Sequence, residues 1–173
     1  MFKKSISLLL SITLLGCSTT YPNKTNLSGP VPSVSGESLE QNKVVIPEHF
    51  KGEQTLLLIG YVQNSQFDID RWLIGLDMTQ TNVAVYELPT MSGMFPKMFK
   101  TVIDNGMRKG IPKEIWKGVI TIYDGEPIKE FTGNENPSNA RVIMLNKQGE
   151  VIYFYDRGFS TIALNEVRAL TLK

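Results

Sequence analysis

The sequence predicts an α/β fold, a mixed β-sheet with helices on both faces, and three features carry that expectation. Residues 55–62 form an apolar run without alternation, the pattern of a strand buried on both sides. From there to about residue 123 apolar runs alternate with segments of helical periodicity, as in strand-helix-strand crossovers. Two β-branched and aromatic segments, 141–145 and 151–155, then flank Asn146-Lys147-Gln148-Gly149-Glu150, which predicts a hairpin closed by a tight glycine-containing turn.

At the N-terminus, Met1-Phe2-Lys3-Lys4 is a short basic stretch and residues 5–15 are apolar, the layout of an export signal. The run is shorter than the roughly 20 residues needed to span a bilayer. Leu14-Leu15-Gly16-Cys17 resembles a lipobox, which implies cleavage before Cys17, diacylglycerol transfer to its sulfur and acylation of the new amino group. Several acyl chains anchor stably where one does not. Ser18, rather than aspartate, follows Cys17, which under the enterobacterial sorting rule implies the outer membrane, with the domain in the periplasm. Residues 1–16 are thus expected to be a lipoprotein signal peptide. Residues 17–43, rich in Ser, Thr, Asn, Pro and Gly, are expected to be a lipidated flexible tether holding the domain a few nanometres from the lipid. Residues 44–173 are expected to fold.

Within that domain Ser65 is placed to cap a helix in which Phe67, Ile69, Trp72, Leu73 and Leu76 recur at helical spacing. Asp68 and Asp70 fall in its first turn, where carboxylates favour the helix dipole. A second strand over 83–88 ends at Pro89. A second helix, begun near Pro96, is expected to turn Phe99, Val102 and Ile103 inward and to weaken at Gly106. A third strand over 119–123, a short irregular or helical piece and the hairpin follow. Ser160 then caps a last helix whose Leu164, Val167 and Leu170 share a face.

This order of elements, with the hairpin Arg141-Val-Ile-Met-Leu-Asn-Lys-Gln-Gly-Glu-Val-Ile-Tyr-Phe154, resembles the thioredoxin-like superfamily in its membrane-tethered and peroxiredoxin-like branches, over roughly residues 54–173. Two departures stand out. Redox members carry Cys-x-x-Cys after the first strand, where this chain reads Tyr61-Val62-Gln63-Asn64-Ser65-Gln66. Where they carry a cis-proline before the hairpin, it reads Ser138-Asn139-Ala140. The resemblance therefore implies a fold and carries over no catalytic residue.

Composition narrows the chemistry further. With 18 basic and 17 acidic side chains, bulk charge points to neither nucleic acid nor an acidic substrate; loss of Lys3 and Lys4 would leave 16 basic. Cys17 is the sole cysteine, so lipid on its sulfur leaves no thiol for a disulfide, thiolate catalysis or zinc. His49 is the sole histidine and has no triad partners around it. Asp68-x-Asp70 lacks the rest of a calcium loop, and helix capping accounts for both carboxylates. No cofactor is expected.

The segment 91–116 stands out by gathering Met91, Met94, Phe95, Met98, Phe99, Met107 and Trp116 among basic residues. It has the makings of an adaptable apolar groove with Lys97, Lys100, Arg108 and Lys109 as a partner-binding rim. A core helix with solvated lysines is the plainer account of the same pattern. A further alternative is Cu(I) held by the thioethers of Met91, Met94 and Met98. The expected function is a lipid-anchored binding or scaffolding module, held to the membrane through Cys17 and serving another envelope protein. The alternative is an enzyme that uses carboxylate, hydroxyl or backbone groups.

Overall fold

The computed structural model describes residues 19–27 and 29–172. The signal peptide and Cys17 lie outside the described residues. Among the described residues, seven strands and five α-helices run in the order β1 (Val34–Ser38), β2 (Lys43–Ile46), β3 (Thr55–Gly60), α1 (Gln66–Met78), β4 (Ala84–Pro89), α2 (Met94–Met98), α3 (Lys100–Gly110), β5 (Ile120–Thr121), α4 (Glu126–Thr132), β6 (Arg141–Leu145), β7 (Val151–Tyr155) and α5 (Thr161–Thr171).

The central sheet has the order β4-β3-β6-β7. β3 runs parallel to β4 and antiparallel to β6, and β7 returns antiparallel to β6. Every residue of β3 and of β6 is buried, which explains their unbroken apolar runs. The expected hairpin is present: Gly149 adopts φ +83°, and its amide donates to Asn146 O at 2.9 Å. A second sheet, β2-β1-β5, is antiparallel and meets β4 through parallel bridges from Glu87 to Val119 and from Thr90 to Ile122.

Alternation along β3 divides the core. Leu56 and Leu58 face α1 and α5, packing with Ile69, Trp72, Ala163, Leu164 and Val167. Leu57 and Ile59 face the other way, onto Val34, Ile46, Ile120 and Ile128 from β1, β2, β5 and α4. Helices thus cover both faces. Ser160 caps α5 as expected, its hydroxyl accepting from the Ala163 amide.

Four expectations are corrected. Residues 19–43 are not a free tether: β1 lies inside that range, Val31 and Leu39 are buried, and Leu27 packs on the core. Further upstream, Tyr21 and Asn23 pair with Asn134 and Glu135, the Asn134 amide donating to Tyr21 O and the Glu135 amide to Asn23 Oδ1, each at 3.0 Å. Gly133, at φ +78°, lets the chain at Pro22 approach so closely that a Cβ there would overlap Pro22 O. Composition misleads because polar residues carry main-chain hydrogen bonds that composition does not register.

The second correction is on α1. Phe67 is exposed, and Ser65 makes no helix-capping bond; its hydroxyl donates instead to Val62 O at 2.6 Å. The third is Asp68, whose carboxylate accepts from the Ala140 and Phe159 amides at 2.8 and 2.6 Å. It ties α1 to the loops before β6 and α5 rather than capping its own helix. The fourth is the helix after Pro96. It starts at Met94, breaks at Phe99 and runs past Gly106 to Gly110, with Phe99 and Val102 exposed rather than inward. Its buried face is polar, centred on Asp104.

Candidate functional site

The parallel strands β3 and β4 end side by side at Gly60 and Pro89. The chain leaves β3 through Tyr61 and Val62 and turns into α1. Gly60 permits this tight turn, because a Cβ there would overlap Ser65 Oγ. Across from this turn, α3 and the segment 111–119 rise from the far side of β4. The space between forms an open groove of about 740 Å³. Ile69 and Leu73 of α1 line one wall, and Ile103, Met107, Ile111 and Ile115 the other. Position at the carboxyl ends of adjacent parallel strands is where open α/β sheets bind ligands.

Two charged residues line this apolar groove, Asp70 from α1 and Glu87 from β4, and both are acidic. Burial holds the Glu87 carboxyl above the usual carboxylate range; a hydrogen bond from the Gln66 amide opposes the shift and the Asp70 charge adds to it. Gln66 Nε2 donates to Asp70 Oδ1 at 3.0 Å, so the amide stands between the two carboxyls. At the rear of the groove Tyr61 shares a 2.6 Å hydrogen bond with Thr132, and burial pushes its hydroxyl up. Chemically the arrangement offers an apolar bed, one carboxyl inclined to keep its proton, and amide and hydroxyl groups from Gln63, Gln66 and Thr90.

Comparison with solved structures places this architecture. The chain matches the pneumococcal exposed lipoprotein thioredoxin of Streptococcus pneumoniae with a TM-score of 0.54 and 10% identity, covering 80% of this chain and 99% of that one. It matches BsSco, of the Sco family of cytochrome c oxidase assembly proteins, with a TM-score of 0.58 and 12% identity over 87% of this chain and 95% of that one. Copper-bound ScoI of Arabidopsis thaliana gives 0.54 and 11%, over 83% and 98%.

The fold is thioredoxin-like.

Identities this low establish the fold and nothing finer. No protein-family model matches the sequence, and no curated protein matches it. The turn 61–66 beside the groove reads Tyr61-Val62-Gln63-Asn64-Ser65-Gln66 and contains no cysteine. Gln63 is exposed there, whereas Ser65 is buried with its hydroxyl on Val62 O.

The four basic residues singled out in the sequence are dispersed. Lys97 and Lys100 line a separate cavity of about 570 Å³ with Glu37, Tyr123 and Asp124. Lys97 Nζ lies 3.2 Å from Asp124, and Lys100 Nζ lies 2.6 Å from Asp104 and 3.2 Å from Glu37. Burial opposes the Lys100 charge, but the hydrogen bonds and charges of Asp104 and Glu37 outweigh it and raise its pKa. Arg108 donates through Nε to Leu39 O at 2.7 Å, and Lys109 is exposed. The methionines also diverge: Met91 lines the groove, whereas Met94 and Met98 stand exposed on α2. His49 is exposed at the domain edge, its ring against Phe50 and Tyr86.

Sequence reasoning passed over Glu87 and Gln66 and gave Asp70 only a helix-capping role. Glu87 had left a signal, as the one charged residue in the apolar strand Ala84–Pro89. Gln66 had none, because polar residues in a first helical turn are ordinary, and for the same reason Asp70 read as a capping carboxylate.

Proposed function

We propose that this chain is a lipid-anchored protein of the bacterial cell envelope, attached through Cys17, whose thioredoxin-like domain binds a partner in the groove between α1 and α3 and performs no thiol-disulfide exchange. One observation carries the reading: the turn where redox members hold their cysteine pair is built from Gln63, Asn64 and Ser65 and opens on an apolar groove. A cavity of this size and lining suits an apolar side chain or segment, oriented by a few polar groups. The lipobox at Leu14-Leu15-Gly16-Cys17 supports the anchor, and Ser18 after it supports the outer membrane as destination. Among the described residues no helix is long and apolar enough to cross a membrane. Of the basic set, Lys97 and Lys109 are exposed but stand outside the groove lining, and Lys100 and Arg108 are engaged within the fold, so the groove itself is the binding surface in this reading.

The test is a photo-crosslinking amino acid at Met107, on the groove wall, in intact cells. A discrete adduct is expected there and not with the same probe at Phe67, which is exposed outside the groove. Equal labelling at both positions, or none at Met107, would overturn the assignment.

Glu87 favours a second reading, an enzyme with a carboxyl general acid in the groove. A carboxyl whose proton burial holds more tightly than usual is suited to that role. The two readings separate when Glu87→Gln is combined with the Met107 probe. Binding survives that exchange of near-equal shape, whereas acid catalysis does not.

A further inference from the structure

The helix from α2 into α3 is amphipathic in the inverse sense. Hydrogen bonds from Phe99 N to Phe95 O and from Ile103 N to Phe99 O, 3.2 and 3.0 Å, carry the helical path across the break. Phe95, Met98, Phe99 and Val102 therefore fall on one stripe, by the spacing that brings i, i+3, i+4 and i+7 together. That stripe faces outward: Phe95, Met98 and Val102 are 71%, 68% and 68% exposed, and the Phe95 and Phe99 rings pack tilted against each other with centroids 4.6 Å apart. The opposite face is charged and turned inward, where buried Asp104 accepts from Lys100, Thr121 and Tyr123. An apolar stripe facing outward over a charged buried face calls for a covering surface.

The N-terminal segment indicates what that surface is. Tyr21 is fixed to the domain by its amide on Asn134 Oδ1 and its hydroxyl on Glu126 Oε1, 2.6 and 2.9 Å. Three residues separate it from Cys17, so the anchored residue lies no more than four Cα steps, roughly 14 Å of extended chain, away. A leash that short holds the domain against the headgroups. It also brings the anchor to the end of the molecule where the stripe begins: Glu126 starts α4, and Asp124, two residues earlier, pairs with Lys97 of α2 at 3.2 Å.

We propose that the Phe95, Met98, Phe99 and Val102 stripe rests in the interfacial layer of the bilayer that holds the lipid anchor, as a second point of membrane contact. Aromatic and flexible apolar side chains on a short helix suit the boundary between headgroups and acyl chains. Lys109, exposed and seven residues beyond Val102 on the same helix face, suits anionic headgroups. The proposal rests on lipidation of Cys17, and its consequence is orientation: α3 is also a wall of the groove, so the groove opens close to the membrane surface.

The test uses the lipidated full chain in vesicles of phosphatidylethanolamine and phosphatidylglycerol. Cys17 is the sole cysteine and carries the lipid, so Met98→Cys offers a unique site for a polarity-sensitive fluorophore, and Phe67→Cys offers the control on exposed α1 surface. Vesicle flotation is read first. The expected result is a blue shift at position 98 and loss of most of its emission to an acyl-chain quencher, with neither at position 67. Flotation with both labels equally wet overturns the stripe contact and leaves the anchor standing. Failure to float overturns the anchor and the proposal together. A blue shift at position 98 that grows with protein concentration in the absence of vesicles means that a second copy covers the stripe, and it also overturns the proposal.

Discussion

Replacing Asn23 with Ala removes one oxygen that serves two donors, and the loss reports directly on whether residues 19–27 are part of the domain. Asn23 Oδ1 accepts from the Glu135 amide and from Arg141 Nη2, each at 3.0 Å. Arg141 is fully buried, and its other donors reach only carbonyls, those of Gly133, Asn136 and Asn139. A hydrogen bond to a charged donor contributes about 1.5–3 kcal/mol, and an exposed neutral one about 0.5 kcal/mol. The expected destabilisation of Asn23→Ala is therefore roughly 2–3 kcal/mol, a fall in Tm of about 4–12 °C for a domain of this size. Urea denaturation of the full chain, with limited proteolysis, measures it: residues 19–27 should become the first site of cleavage. The exposed neighbour Lys24→Ala should stay within about 0.5 kcal/mol of the parent. A loss below about 0.5 kcal/mol for Asn23→Ala, with unchanged proteolysis, would return this segment to the status of a free tether and remove the short leash.

Two further outcomes follow from buried charge. Because burial raises the Glu87 carboxyl in the folded state, the stability it contributes is present below the ordinary carboxylate range and lost as pH rises through its raised value. Glu87→Gln should accordingly be more stable than the parent near pH 7 and converge with it below about pH 4 in thermal melts; a difference independent of pH would refute that account. Lys100→Gln withdraws the cation from buried Asp104, which keeps Tyr123 and Thr121, and should cost roughly 1–2 kcal/mol in urea denaturation, against less than about 0.5 kcal/mol for exposed Lys109→Gln. Equal effects at the two lysines would show that the 2.6 Å Lys100 contact contributes nothing beyond surface charge.

The sequence by itself determined the elements whose burial is two-sided or whose turn is chemically specific. β3 and β6 are buried throughout, so no alternation was needed to recognise them, and the Asn146-to-Gly149 turn has few alternatives. The same holds for α5, where the Ser160 cap and the Leu164 and Val167 face agree. From these, with the crossover order, the α/β class and the likeness to thioredoxin-like proteins were legible before any coordinates. Cys17 as sole cysteine also settled, at the level of composition, that no thiol pair stands after β3.

Only the tertiary structure decided which face of a periodic helix turns inward. From Phe95 to Arg108 two stripes are equally regular, an apolar one through Phe95, Met98, Phe99 and Val102 and a polar one through Lys100, Asp104 and Arg108. Periodicity fixes that each stripe exists, and the ordinary expectation buries the apolar one. Here Thr121 and Glu37 from β5 and β1, with Tyr123 and Leu39 O just beyond them, complete the hydrogen bonds and charges of the polar stripe, and so it is buried. Those partners lie far away in sequence and become neighbours only when the second sheet joins β4. The groove has the same origin. Glu87, Asp70 and Met107 belong to three elements that share no local pattern, and their convergence at the carboxyl ends of β3 and β4 follows from sheet order, which no segment encodes alone.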